Sequence, residues 1–243
     1  NIRKKFYADV NRKFKNNRLG KNYSKFKAYI CLEIGILLTY LFLKLRIKPN
    51  TVTIVFVLIL FLATVLIATG NKELTLLGMI IYFFKNSLDL SDGFIARLTK
   101  QTSSLGSILD IWAGSVSITF FQISVGFYVF VKSNDPIFLI LTLVIIVLNS
   151  IDFKKVYLIE KANFKKNISF NFKDNLNSKK KNIIIKFLGS LDYDGRSRYT
   201  DLVLLIFLLE IYNTDIFVSQ YIIILWLMTN TGKFFYKFYK TIS

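Results

Sequence analysis

Three carboxylates and an arginine stand in one short stretch: Asp89-Leu-Ser-Asp92-Gly93-Phe-Ile-Ala96-Arg97, eight further residues, Gly106, three more and Asp110. Asp89 and Asp92 are three apart, so on a helix both project from one face. A tight connection through Thr99–Ser104 brings Asp110 back opposite them. Carboxylates meeting without histidine or thiolate make a hard-oxygen site, suited to Mg²⁺ or Mn²⁺ that keeps water and phosphate oxygens as its other ligands. Gly93 and Gly106 let a ligand or a second helix approach the backbone closely, and Arg97 adds a forked cation suited to a phosphate. The plainer alternative is structural: Lys85 pairs with Asp89, Asp92 pairs with Arg97, and the glycines serve helix packing.

These charges lie in lipid-like sequence. A charged side chain near the middle of a membrane costs about 2.5–3.5 kcal/mol on insertion scales, so a cluster needs an offsetting cause such as a bound cation. The chain has 243 residues, of which 53% are hydrophobic. The apolar residues fall in long runs: Val52–Thr69, Leu74–Leu88, Leu105–Val131, Pro136–Leu148, Leu202–Ile211 and Phe217–Met228. With their polar flanks these approach the roughly 20 residues that a spanning helix needs. The predicted fold is therefore all-α, a polytopic membrane protein with six transmembrane helices. Pro49 and Pro136, the only prolines, stand where a first helical turn accepts them. Tyr29–Leu43, apolar but short and carrying Glu33, is predicted to be an amphipathic helix lying at the membrane interface, with a seventh span as the alternative. The organisation is a basic N-terminal segment with this helix (1–50) and a six-span membrane domain (51–243) with a polar cytoplasmic loop at about 152–198. No cleavable signal pattern is seen, and Asn1 in place of methionine leaves room for an upstream segment.

Charge placement gives the orientation. All of the 33 lysines and arginines except Lys72, Lys85 and Lys132 fall in segments on one side of the six spans. The positive-inside rule then puts both termini, and the acidic cluster, on the cytoplasmic side. The formal charge of +18 orients the protein and attracts anionic headgroups, so membrane lipids, not nucleic acid, are the predicted partners. The absence of histidine removes the usual neutral-pH base and the usual zinc ligand, and Cys31 as the one thiol excludes an intramolecular disulfide framework. Richness in Lys, Asn, Ile and Phe points to a microbial cytoplasmic membrane.

The acidic stretch resembles the signature of the CDP-alcohol phosphatidyltransferase family, D-x2-D-G-x2-A-R-x8-G-x3-D-x3-D. Asp89, Asp92, Gly93, Ala96, Arg97, Gly106 and Asp110 match it in type and spacing, and Pro49-Asn50-Thr51-Val52-Thr53 looks like the Pro-Asn-x-x-Thr that opens the first span in many members. The resemblance implies a six-span homodimer with a cytoplasmic active site. It implies a transferase in which an acceptor hydroxyl attacks the phosphate bearing the alcohol of a CDP-alcohol and CMP leaves, in phospholipid or related polar-lipid synthesis. By that likeness Asp89, Asp92 and Asp110 hold Mg²⁺ or Mn²⁺, and Gly93, Ala96, Arg97 and Gly106 line the CDP site.

The departure is Gly114, which stands where the family has its last aspartate, the expected base for the acceptor hydroxyl. Either the chain binds without efficient turnover, or another carboxylate (Asp152, Asp192, Asp194 or Asp201) serves, or the acceptor needs no strong base. Arg196 and Arg198, just before the fifth apolar run, are candidates to capture an anionic acceptor or are simple flanking charges. Trp112 and Trp226 are read as packing residues. The rival functions are a catalytically impaired homologue that binds nucleotide or lipid and, in another class, a small membrane transporter, which would need acids along a path across the bilayer.

Overall fold

The structure is a computed structural model that describes residues 2–13, 25–150, 197–213 and 217–242. Among these are eight helices: α1 (Ile2–Lys13), α2 (Lys25–Lys44), α3 (Pro49–Ala68), α4 (Lys72–Leu98), α5 (Ser104–Ser133), α6 (Ile137–Ser150), α7 (Ser197–Tyr212) and α8 (Ser219–Ile242). The apolar runs all become helices, and the helices outrun them. The second run extends through the acidic motif to Leu98, and the helix expected at Tyr29–Leu43 is the 20-residue α2.

The boundaries have local causes. Pro49 opens α3, where its missing N–H costs nothing. The side chain of Asn71 accepts from the N–H groups of Glu73 and Leu74 to start α4, and that of Ser103 accepts from Gly106 to start α5. Helices α2 and α4 end alike. Arg46 and Lys100 take left-handed backbone (φ 55° and 56°), while Ile47 N–H returns to Phe42 O and Gln101 N–H to Ala96 O, each 2.9 Å. This closes a Schellman motif at each end and leads the chain into α3 and α5, whose first turns carry site residues.

Helix α3 lies against α4 and α5 at the centre, α2 packs on α4, and α6, α7 and α8 complete the bundle. The main core joins Phe56, Leu60, Ala63 and Ile67 of α3 to Tyr82 of α4, Phe121, Val125 and Tyr128 of α5, Phe207 of α7 and Trp226 of α8. Close approach of α3 and α4 depends on Gly78, where a Cβ would stand 2.8 Å from Ala63 O and 2.7 Å from Ile67 Cγ1. Trp226 is buried near Phe121 as a packing residue, whereas Trp112 is half-exposed on the outer surface.

The outward faces are apolar too. On α3, Ile54, Leu58, Phe61, Leu62 and Val65 face away from the core while Val52, Phe56 and Leu60 face in. A helix apolar all round is a membrane or deep-core helix, and among the described residues no core covers these outward side chains. Among the described residues two helices, Pro49–Ala68 and Ser104–Ser133, are long and apolar enough to cross a membrane, and Ile137–Ser150 is apolar but shorter.

Candidate active-site cleft

The two Schellman turns set a cleft between the starts of α3 and α5 and the end of α4. Its volume is about 270 Å³. Helix α3 lends Pro49, Asn50 and Thr53; α4 lends Asp89, Asp92, Gly93, Ala96 and Arg97; the α4–α5 link lends Gln101, Thr102 and Ser103; α5 lends Gly106, Ser107 and Asp110. All seven residues singled out by spacing line this one cleft. The hairpin does return Asp110 opposite the α4 pair.

The carboxylates differ in setting. Asp92 is buried: Thr53 Oγ1 donates to its Oδ2 at 2.6 Å, and Gly93 N–H donates to its Oδ1. Asp89 and Asp110 are exposed. Gly106 N–H donates to Ser103 Oγ at 3.0 Å, and a Cβ on Gly106 would lie 3.0 Å from Asn50 Oδ1. The α5 backbone thus comes close to α3 because Gly106 lacks a side chain.

Arg97 does not pair with Asp92. Its guanidinium is held by Asp9 of α1, with Nε 2.9 Å from each carboxylate oxygen and Nη2 2.6 Å from Oδ2. Three carboxylates and one already paired guanidinium leave the cleft acidic. An anionic diphosphate would be repelled there unless a cation came with it. Oxygen donors alone, with the thiol of Cys31 buried away from the cleft, fit a hard divalent ion. Among the described residues no three acidic or thiol side chains close around a cation by themselves, so such an ion would need water or ligand oxygens as well.

Gly114 sits one turn beyond Asp110 on α5, and a Cβ added there meets nothing within 4 Å. Of the alternative carboxylates, Asp201 is engaged elsewhere. It pairs with the buried Lys27 of α2, whose ammonium also lies 4.3 Å from the Phe83 ring centroid, and it borders an apolar groove between α4 and α7. Asp152, Asp192, Asp194 and Arg196, with nearly all of the expected loop at 152–198, lie outside the described residues. Arg198 falls in the first turn of α7.

Sequence reasoning assigned no role to Asn50, Thr53 or Asp9. The first two were visible as part of the Pro-Asn-x-x-Thr pattern, one turn apart on the cleft-facing side of α3. Asp9 gave no signal beyond being an acid in a basic segment. Glu33, conspicuous inside an apolar helix, is accounted for by α1, since its Oε1 accepts from Arg3 Nη2 at 2.6 Å and from Tyr7 OH at 2.7 Å.

Among the described residues, then, helices predominate, two of them are long and apolar enough to cross a membrane, and an acidic cleft lies where three helix ends meet. Residues 46–188, more than half of the chain, match the family model described as CDP-alcohol phosphatidyltransferase. The chain belongs to that family, whose members transfer a phosphatidyl-type group from a CDP-alcohol in lipid synthesis and generally use divalent metal ions. No curated protein matches the chain.

Proposed function

We propose that this chain transfers the substituted phosphate of a CDP-alcohol to an acceptor hydroxyl, releasing CMP, at the cytoplasmic face of a microbial membrane. The supporting observation is that Asp89, Asp92, Gly93, Ala96, Arg97, Gly106 and Asp110 line one cleft. In this reading the protein has six spans and α2 lies at the membrane interface, carrying α1. Positive-inside placement of the basic residues supports that orientation. A homodimer is expected from the family resemblance.

Asp89, Asp92 and Asp110 would hold Mg²⁺ or Mn²⁺, which neutralises charge on the diphosphate and on the leaving CMP. Asp92, fixed by Thr53, is the pre-ordered member of the set, and Asp89 and Asp110 face the cleft from opposite helices. Gly93 and Gly106 leave backbone bare on the two walls, so a flat pyrimidine or a phosphate can approach without meeting a Cβ. Arg97 contributes a charged N–H edge beside Gly93. Arg196 and Arg198 are the proposed acceptor-binding residues.

The acceptor hydroxyl must lose a proton, and position 114 offers no carboxylate to take it. We therefore expect nucleotide binding to be strong relative to turnover. The discriminating experiment measures CMP release by the purified full chain with Mg²⁺ or Mn²⁺ across a panel of CDP-alcohols and hydroxyl acceptors. Metal-dependent release that also needs an acceptor supports transfer. Metal-dependent CDP binding without release favours the impaired, binding homologue, and absence of both overturns the reading of the cleft.

A further inference from the structure

The arginine of the cleft is held by a helix that lies outside the matched motif. Asp9 takes the Nε/Nη2 edge of the Arg97 guanidinium through three contacts of 2.6–2.9 Å. The other edge faces Gly93, where a Cβ would lie 3.1 Å from Nη1 and 3.6 Å from Nη2. Arg97 is thus a partition. One side lines the acidic cleft, and the other lines a hollow beneath α1 that also includes Asp9 and Phe94.

Helix α1 has independent anchors that hold Asp9 in place. Phe6 is fully buried and meets Phe94 edge-on, with ring centroids 4.7 Å apart. Val10 is buried in the same cluster, and Arg3 and Tyr7 bind Glu33. A guanidinium carries five N–H donors in a rigid fork. Occupying one edge therefore fixes the plane and leaves the other edge able to donate. A free arginine would have to lose its rotamer freedom on binding, and one already held has lost it.

We propose that Asp9 is a positioning residue for nucleotide binding: it holds the Arg97 guanidinium so that the Nη1 edge lies over Gly93 and donates to an anionic oxygen of a bound nucleoside diphosphate. This rests on the reading of the cleft given above. It also gives position 93 a reason to be glycine, since a methyl group there would crowd the nitrogen that makes the contact.

The test uses the full chain in lipid nanodiscs with Mn²⁺ and measures the Kd for CDP by calorimetry. The variants are Asp9→Asn, Asp9→Glu and Arg97→Lys, with Asp9→Asn also combined with Arg97→Lys. Asp9→Asn should weaken CDP binding about tenfold, and Asp9→Glu should recover most of that loss. In the Arg97→Lys background, Asp9→Asn should change binding less than about twofold, because the two residues act through one another. A loss of equal size in both backgrounds would mean that Asp9 only anchors α1, and unchanged binding in Asp9→Asn would mean it has no part in the site; either outcome overturns the proposal. Should Asp9→Asn fail to fold, Arg97→Lys alone decides, since it keeps a charge for Asp9 but has no second edge, and CDP binding within about twofold of native sinks the idea. Failure of the native chain to bind CDP is a different result: it removes the reading of the cleft itself.

Discussion

Thr53 Oγ1 on α3 donates to Asp92 Oδ2 on α4 at 2.6 Å, with both side chains buried. This bond ties the Pro-Asn-x-x-Thr turn to the acidic motif 39 residues later, and it is one of two contacts that hold the innermost carboxylate. Thr53→Val keeps the shape and removes the donor. It should cost about 1–3 kcal/mol, seen as a lower unfolding temperature in detergent. Mn²⁺ affinity should fall about 10–100-fold, as when a ligand loses its outer-shell partner. Thr53→Ser should retain most of both.

Open space at Gly114 makes a direct test of turnover feasible. Gly114→Asp should fold as well as the native chain, because a Cβ there meets no neighbour and glycine is a poor residue in a helix interior. Metal-dependent CMP release should rise about a hundredfold, the scale of a general base. Gly114→Ala should match its stability without the gain. Native turnover equal to that of Gly114→Asp would show that the acceptor proton leaves by another route.

The docking of α1 should depend on acid. Hydrogen bonds from Tyr7 and then Arg3 hold the Glu33 carboxyl below the ordinary glutamate range. The group is thus favoured as a carboxylate in the docked state, and its contribution is fully present above its undocked value of about 4.3. It fades as the pH falls through the lowered docked value. Burial pushes the Tyr7 phenol up, so its O–H remains a donor through neutral pH. Opening of residues 2–10, read as lost protection against hydrogen exchange, should quicken as the pH falls below the ordinary glutamate range in the native chain. In Glu33→Gln it should already be faster at neutral pH and lose its acid dependence.

Glu210 should matter for stability and not for binding. Its buried carboxylate accepts from Val218 N–H at 2.6 Å and from Ser219 N–H at 2.5 Å, capping the start of α8 from the end of α7. Glu210→Ala leaves those donors without this acceptor and should cost about 1–3 kcal/mol, read as a lower unfolding temperature. Glu210→Gln should cost less, since one amide oxygen remains. CDP affinity should be unchanged in both.

Much of the site was legible before any coordinates. The three-residue spacing of Asp89 and Asp92 fixes a shared helix face, and Gly106 marks where the α5 backbone approaches α3. The short polar link at Thr99–Ser104 requires α5 to turn back toward α4. The residue types offer carboxylate oxygens and lack the histidines of a usual zinc centre. Pro49 marks a helix start, and apolar runs of this length become helices wherever they are placed. These are local properties, set by backbone geometry and side-chain chemistry within a few turns.

What only the tertiary structure decided are pairings between distant segments. Arg97 had a plausible partner five residues away in Asp92, yet it binds Asp9, 88 positions earlier. Glu33 was an unexplained charge in an apolar helix until α1 brought Arg3 and Tyr7 to it. Asp201 stood among the possible bases until Lys27 claimed it, and Trp112 and Trp226, alike in sequence setting, face opposite ways. Helical periodicity tells which residues share a face, but not which helix that face meets. That choice belongs to the packing of the whole bundle, where Arg97, Glu33 and Lys27 each meet an opposite charge from another helix.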